Sequence, residues 1–266
     1  MSHLIVFLAR PRTGTNYLVN LLSEGKQIES KTEIFHSKKP YGLKDEEVFQ
    51  ITDVDVTDFT DSEKAKLIHK EASKVINYFK LKACKTGIPI SFKIFPGHLT
   101  NELVDELLIK DNDVIKVIID RDILPTYVSR AKARKVGKWT KVNTSDVEID
   151  IDIDDFESWF TKMNSWYAFI KGGLSAAKAS FIYLDYKEIT GGSDNENYEL
   201  VRSRLKAIGL TLGAIDNNEF INTHNKQDKG RKIQDSIVNW NEFILSDRYK
   251  SLSFSDGDMS FWKRLN

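Results

Sequence analysis

The sequence predicts an α/β fold, a three-layer sandwich with a central parallel sheet and helices on both faces. Short apolar runs such as residues 4–9 are continuous rather than alternating, which is typical of strands buried on both faces. These runs alternate along the chain with segments of helical periodicity, the order that gives parallel sheets. A chain of 266 residues with one cysteine, Cys84, can form such a core without disulfides. We therefore expect a single domain over residues 1–266.

Four apolar runs are predicted to be the strands. They are Leu4 to Ala9, Ile90 to Phe95, Val114 to Ile119 and Phe181 to Leu184. In open parallel sheets, ligands bind beyond the carboxyl ends of the strands. The candidate functional residues should therefore follow these four runs.

The helices between the strands are predicted from apolar periodicity and capping residues. Thr60 and Glu63 form a capping-box pattern ahead of an amphipathic helix over 61–83. Thr100 should cap a helix through Lys110. Further helices are predicted over 17–22, from Pro125 to about Lys135, from Asp154 or Asp155 through Phe169, over 198–207 and over 236–247. Residues 25–60 look irregular, and the alternation between 147 and 153 predicts a half-exposed extended segment.

The charges exclude a general nucleic-acid binder. Lysine plus arginine equals aspartate plus glutamate, 39 each, so an anion site must be local. We interpret the basic run at 130–141 as a solvated helix face, with binding of an anionic glycan as the alternative.

The sequence also predicts the compartment. The apolar run near the N-terminus has only about six residues, and no stretch approaches the roughly 20 apolar residues of a membrane span. The single cysteine favours a reducing compartment. We expect a cytoplasmic protein that binds no membrane. The five histidines are scattered, so no metal is expected.

The segment after the first strand has the properties of an anion-binding loop. Residues 10–16 read Arg-Pro-Arg-Thr-Gly-Thr-Asn and lead into a helix, whose unpaired N–H groups and dipole favour negative charge. Gly14 permits close approach of the backbone to a phosphate, and Arg12 adds a cation with several donors. Side-chain donors come from Thr13, Thr15 and Asn16. The segment is not a Walker A loop, because G-x-x-x-x-G-K-[ST] is absent.

This loop resembles the P-[KR]-[ST]-G-[ST] loop of sulfotransferases that use 3′-phosphoadenosine 5′-phosphosulfate (PAPS), where it holds the 5′-phosphosulfate. Arg121, at the end of the third predicted strand, and Ser129, eight residues later, resemble the family's pair for the 3′-phosphate. More loosely, residues 183–189 resemble a late Y-E-D-L stretch, and Lys226-Gln227 a basic loop that closes over the cofactor.

The resemblance is strongest to soluble bacterial carbohydrate sulfotransferases. It implies a P-loop-NTPase-like sulfotransferase fold, PAPS as the donor, adenosine 3′,5′-bisphosphate (PAP) as the product, and a carbohydrate or glycoconjugate acceptor. The cofactor-binding residues that it implies are Arg10, Arg12, Thr13, Gly14, Thr15, Asn16, Arg121, Ser129, Tyr186, Lys226 and Gln227.

Transfer to a hydroxyl group needs a general base, and two candidates stand open. Glu33 lies in a setting similar to that of the glutamate base of bacterial carbohydrate sulfotransferases. His98 follows the second strand, as the histidine base of cytosolic sulfotransferases does, but it lies five residues after Lys93 rather than two. His98 has two alternative roles, capping the helix near Thr100 or contacting the acceptor. With Arg12 and Lys93 on the leaving group, these residues form the expected catalytic set.

The acceptor side is less specific. Trp139, Trp159 and Trp166 could line an acceptor cleft, although Trp159 and Trp166 lie seven apart and are interpreted as core. Residues 25–60 and 137–158 are expected to shape the acceptor site. The expected partner is a small-molecule or glycan acceptor, with a homo-oligomer possible and no nucleic acid. The alternative functions are a P-loop-like nucleotide kinase and a non-catalytic module that binds anionic glycans.

Overall fold

The computed structural model describes residues 4–24, 27–139, 142–215, 232–252 and 260–265. Contacts divide the described chain into two compact units. The sheet unit holds the described residues of 4–10, 14–119 and 169–215. The helical unit holds those of 11–13, 120–168 and 232–265.

The sheet has five parallel strands, and the four predicted ones are confirmed to within one residue at each end. The strands are β1 Leu4–Leu8, β2 Glu29–Ser30, β3 Ile90–Ile94, β4 Val114–Asp120 and β5 Phe181–Asp185. Their order is β2-β3-β1-β4-β5. β1 pairs in parallel with β3 on one side and with β4 on the other. The connection after β1 leads to β2 on one side of it and the connection after β4 leads to β5 on the other side, so the carboxyl ends of β1 and β4 form the point where parallel sheets bind ligands.

Helices account for most of the remaining described residues. In chain order they are α1 Thr15–Ser23, α2 Asp45–Thr52, α3 Asp61–Lys70, α4 Ala72–Thr86, α5 Asn101–Val104, α6 Ile123–Val136, α7 Ile153–Ala177, α8 Tyr186–Ile189, α9 Asp194–Ala207, α10 Trp240–Leu245, α11 Asp247–Ser251 and α12 Phe261–Arg264. A π-helical turn, Asp105–Ile109, continues α5, and a 3₁₀ turn spans Ile233–Ser236.

Both faces of the sheet are buried, as the continuous apolar strands predicted. Ile5 and Phe7 of β1 belong to a core that α1 and α9 complete. Val6 and Leu8 point to the opposite face because side chains alternate along a strand, and they are equally buried. α4 contacts β1 and β3. The three-layer α/β sandwich is therefore confirmed.

Several helix boundaries differ from prediction. The predicted helix over 61–83 is two helices, α3 and α4, because Glu71 leaves the helical backbone at φ −99° and ψ 25°. The capping box of Thr60 and Glu63 is present, and Thr100 caps α5. The predicted helix over 236–247 is the pair α10 and α11.

Two other segments are more ordered than predicted. Residues 25–60 contain β2 and α2, where an irregular segment was expected. α7 runs to Ala177, well beyond Phe169. The carboxylate at its start is Asp152, which accepts hydrogen bonds from the N–H groups of Asp154 and Asp155 at 2.7 and 3.2 Å. The expectation that one of those two residues is the cap was therefore wrong.

The helical unit has an aromatic core. Tyr127 and Phe156 meet edge to face with ring centroids 4.9 Å apart. Trp159 and Trp166 are buried, which confirms that they are packing residues.

The basic face of α6 is not simply solvated, contrary to expectation. Lys132 is fully buried, and its Nζ donates to Ser236 Oγ at 2.9 Å. Arg130 and Arg134 both bind Asp155, at 3.2 and 3.1 Å. Carboxylate and hydroxyl partners within the unit thus engage these three cations.

Within the described ranges, no helix combines the length and apolarity that crossing a membrane requires. The same residues contain no group of three or more histidine, cysteine, aspartate or glutamate side chains arranged for a metal ion.

Candidate active site

The start of α1 in the sheet unit has the features of an anion site. Gly14 occupies the N-cap with φ 83°, no side chain caps the helix, and the first turn carries no acidic residue. The first N–H groups of a nine-residue helix are thus left for a ligand, and the helix dipole favours a negative one.

Glycine is required at position 14 for two reasons. Its positive φ is disfavoured for residues with a side chain. A Cβ at this position would also lie 2.7 Å from Cδ2 of Tyr186, which begins α8 directly after β5. Tyr186, predicted to bind the cofactor, therefore packs on the loop backbone.

Lys93 lies at the centre of a group that we call the lysine group: Asn16, Glu33, Lys93 and His98. Its side chain, in β3, is only 3% exposed. Its Nζ donates to Asn16 Oδ1 at 2.5 Å and to Glu33 Oε1 at 3.4 Å. Burial lowers the pKa of the Lys93 ammonium, while the Glu33 carboxylate acts in the opposite direction. The ammonium thus connects the first turn of α1 to a candidate base.

Glu33 is held in place by backbone pairing with β3. The N–H of Lys31 donates to Ser91 O, and the N–H of Lys93 donates to Thr32 O, each at 2.7 Å. Thr32 adopts a positive φ of 50°, uncommon for a β-branched residue, immediately before Glu33. The Glu33 side chain is a quarter exposed, so its carboxylate can meet a solvent-borne substrate.

His98 is buried beside Glu33. Its Nε2 lies 3.9 Å from Glu33 Oε2, and its ring packs against Phe95 and His36 with centroids 5.1 and 5.8 Å apart. Burial, reinforced by the neighbouring His36, lowers the pKa of His98 to about 3. The imidazole is therefore neutral at neutral pH. It does not cap α5, because the Thr100 hydroxyl accepts from Leu103 N–H.

The helical unit holds a second group, which we call the arginine group: Arg12, Arg121 and Ser129. Arg12 adopts a positive φ of 76°, donates from Nε to Ser129 Oγ at 3.0 Å and from Nη1 to the Trp139 carbonyl at 2.6 Å. Nη1 of Arg121 donates to the Arg12 carbonyl at 3.2 Å. The structure thus brings together the loop arginine and both members of the pair that follows β4.

Asp120 supports this group and was not among the predicted site residues. The carboxylate is fully buried and accepts from the N–H groups of Arg121 and Trp262, at 2.8 and 2.7 Å. The sequence feature that could have indicated its role is its position, at the end of a buried strand and directly before Arg121. The link between Asn16 and Lys93 was missed as well, since those residues lie 77 apart in the chain.

The remaining predicted residues are partly described. Arg10 and Thr13 are fully buried and Thr15 is nearly so, which makes these three side chains part of the protein interior. Their contact with a donor stays a prediction. Lys226 and Gln227 lie outside the described residues.

Comparison with known proteins finds similarity to a curated sequence and to solved structures. The chain is 25% identical over 187 residues to nodulation protein H of Rhizobium tropici, across 69% of this chain and 68% of that protein. It resembles the sulfotransferase domain from the curacin biosynthetic pathway at a TM-score of 0.48 and 13% identity, over 100% of this chain and 96% of that one. No family model matches.

The loop after β1 and the residues Arg121 and Ser129 after β4 are the features on which the resemblance to sulfotransferases rests. The chain is thus similar to sulfotransferases.

Proposed function

We propose that this enzyme transfers a sulfuryl group from PAPS to a hydroxyl group of a carbohydrate acceptor. The observation that carries the proposal is the position of Lys93, which is buried and bonded to both Asn16 and Glu33. An uncapped helix start, a cation and a carboxylate are the three groups that transfer of an anionic group to a hydroxyl requires.

The residues present fit the donor. The N–H groups at the start of α1 suit the 5′-phosphosulfate, as does the close approach that Gly14 allows. Arg121 and Ser129 suit the 3′-phosphate, because guanidinium and hydroxyl donors bind phosphate oxygens well. We also assign Arg10, Thr13, Thr15 and Tyr186 to the shape of the loop, and Lys226 and Gln227 to donor binding.

In the proposed reaction, the sulfuryl group passes from PAPS to the acceptor oxygen without the help of a metal ion. PAPS, when bound, supplies a sulfuryl group and departs as PAP. Glu33 accepts the proton of the acceptor hydroxyl while that oxygen forms its bond to sulfur. The bond between sulfur and the 5′-phosphate oxygen breaks, and Lys93, Arg12 and the N–H groups of the loop stabilise the negative charge that grows there.

Glu33 is a better candidate for the base than His98. A general base must reach the proton that it removes, and Glu33 is a quarter exposed whereas the His98 side chain is 9% exposed. A pKa of about 3 also makes the His98 imidazole a weak base. We propose that His98 packs against Glu33 and limits its rotation.

The first test is calorimetric titration with PAP, beside ATP with Mg²⁺. Micromolar PAP binding without ATP binding supports the donor assignment. Incubation with labelled PAPS and neutral saccharides then tests the acceptor class. Binding of ATP with Mg²⁺ but not PAP would reject the proposal in favour of a kinase. Salt-sensitive binding of an anionic glycan without nucleotide binding would favour a non-catalytic module.

A further inference from the structure

A chain of aromatic rings in the sheet unit leads from the candidate base to the surface. The His98 ring lies beside Glu33, the His36 ring meets it edge to face at 5.8 Å, and the Tyr41 ring meets His36 in the same way at 5.1 Å. Tyr41 is the outermost of these rings and is 44% exposed. It therefore presents an accessible aromatic ring two contacts away from His98.

The turn that carries Tyr41 is fixed to the segment that carries Glu33. The N–H of Tyr41 donates to Lys39 O at 2.9 Å, which closes the turn. Gly42 follows with φ 89°, and a Cβ there would lie 2.0 Å from the carbonyl oxygen of Lys31. Such a contact is possible only for glycine. It packs the turn against the backbone two residues before Glu33, so Tyr41 and Glu33 have a defined separation.

His36 adds a hydrogen-bond donor beside the Tyr41 ring. The N–H of Lys38 donates to His36 Nδ1 at 3.2 Å, so Nδ1 is the acceptor of this ring. Nε2 is then a ring nitrogen that carries a hydrogen. A ring N–H of this kind suits a hydroxyl or ring oxygen.

The surroundings of Tyr41 indicate the chemistry of its ligand. The neighbouring exposed residues of the turn are polar, namely Ser37, Lys38 and Lys39. An apolar ligand such as a phenol needs an enclosing apolar slot, which a half-exposed ring among lysines does not provide. A pyranose ring has C–H groups on its faces that match the negative face of an aromatic ring, and hydroxyl groups at its edges that match polar neighbours.

We propose that Tyr41 and His36 form an acceptor subsite, in which one pyranose ring stacks on Tyr41 and receives a hydrogen bond from His36. The inference rests on the proposed function, since it assigns the acceptor of that reaction to specific residues. The role that we assign to stacking on Tyr41 is to position an acceptor hydroxyl for Glu33.

Steady-state kinetics test the subsite with the whole chain. The acceptor is whichever of methyl β-glucoside, cellobiose, trehalose and chitobiose accepts label from PAPS. We expect Tyr41→Ala to raise KM for that saccharide about fivefold to tenfold, at unchanged kcat, with PAP affinity preserved in calorimetry. Tyr41→Phe, which keeps the ring, should stay within about twofold of wild type.

Phe49→Ala is the matched control, because Phe49 is 52% exposed in the neighbouring helix α2. An equal rise of KM in Tyr41→Ala and Phe49→Ala would overturn the subsite, as would no rise in Tyr41→Ala. The subsite would also be overturned if the protein sulfated 4-nitrophenol but none of the four saccharides. PAP binding in the same experiment would leave the donor assignment intact. Failure of the wild type to bind PAP would instead reject the proposed function itself.

Discussion

The lysine group and the arginine group differ in burial and in the hydrogen bonds that connect their members. Lys93 and His98 are almost inaccessible, and the Lys93 ammonium already contacts a carboxylate, Glu33. Arg12, Arg121 and Ser129 are only half-buried. The hydrogen bonds that connect the arginine group end on neutral oxygens, the Ser129 hydroxyl and the carbonyls of Arg12 and Trp139.

This difference suggests a division of labour. Charges held in a dry setting act strongly on charge that develops during a reaction, because little water screens them and their positions are fixed beforehand. Half-exposed arginines are suited to bind a phosphate that arrives from solvent. Changes in the lysine group should therefore affect mainly kcat, and changes in the arginine group mainly donor affinity.

The largest expected effect is in the lysine group. Glu33→Gln keeps the shape of the side chain but removes the proton acceptor, and we expect kcat to fall about 10²- to 10⁴-fold. PAP affinity should remain within about threefold of wild type, because Glu33 acts on the acceptor hydroxyl and calorimetry with PAP measures binding at the donor site.

His98→Gln provides the control for that loss. If His98 only packs against Glu33, its replacement should lower kcat far less than Glu33→Gln does. A fall of kcat of about 10²-fold or more in His98→Gln, with Glu33→Gln near wild type, would make His98 the base instead.

The second prediction concerns the arginine group and should be smaller. Arg121→Ala should weaken PAP binding about 10- to 100-fold, the usual effect of losing hydrogen bonds to a charged group. Binding of adenosine 5′-monophosphate, which has no 3′-phosphate, should change much less. Equal losses for both nucleotides in calorimetry would show that Arg121 does not read the 3′-phosphate.

The third prediction returns to the lysine group and uses pH. The pKa of His98 is lowered to about 3 in the folded protein, whereas an unfolded histidine titrates near 6.5. The unfolded state therefore binds more protons between these values, and stability falls as the pH drops through that window. From pH 7 to pH 4.5 we expect wild type to lose about 2 kcal/mol more free energy of unfolding than His98→Gln loses. Urea unfolding at both pH values measures this, and equal losses would contradict the shifted pKa.

The two groups also differ in how far the sequence predicted them. The strands and the loop were predictable because continuous apolar runs and an uncapped glycine-containing helix start are local patterns. The Arg121–Ser129 pair was found because both residues lie within one strand–helix connection.

Long-range contacts were not predictable from local patterns. The bond between Lys93 and Asn16 depends on the register of β1 against β3, in which Phe7 pairs with Lys93. The burial of Lys132 likewise involves Ser236, more than a hundred residues away, and the run of basic residues alone assigned that lysine to solvent. Local sequence therefore predicts the helices and strands, whereas contacts between polar side chains of different elements are established only in the folded chain.

The smallest expected effect is on PAP affinity and concerns Ser129, which can either bind the donor or position Arg12. Ser129→Ala removes a neutral hydroxyl that accepts from Arg12 Nε at 3.0 Å, and the net contribution of such a hydrogen bond is about 1 kcal/mol. We therefore expect PAP binding to weaken about fivefold, less than in Arg121→Ala. Ser129→Thr, which keeps the hydroxyl, should recover most of the affinity in the same titration. If Ser129→Ala instead weakened PAP binding as much as Arg121→Ala does, the hydroxyl would hold the Arg12 guanidinium as well as contact the donor. The losses of affinity in the double variant would then be non-additive.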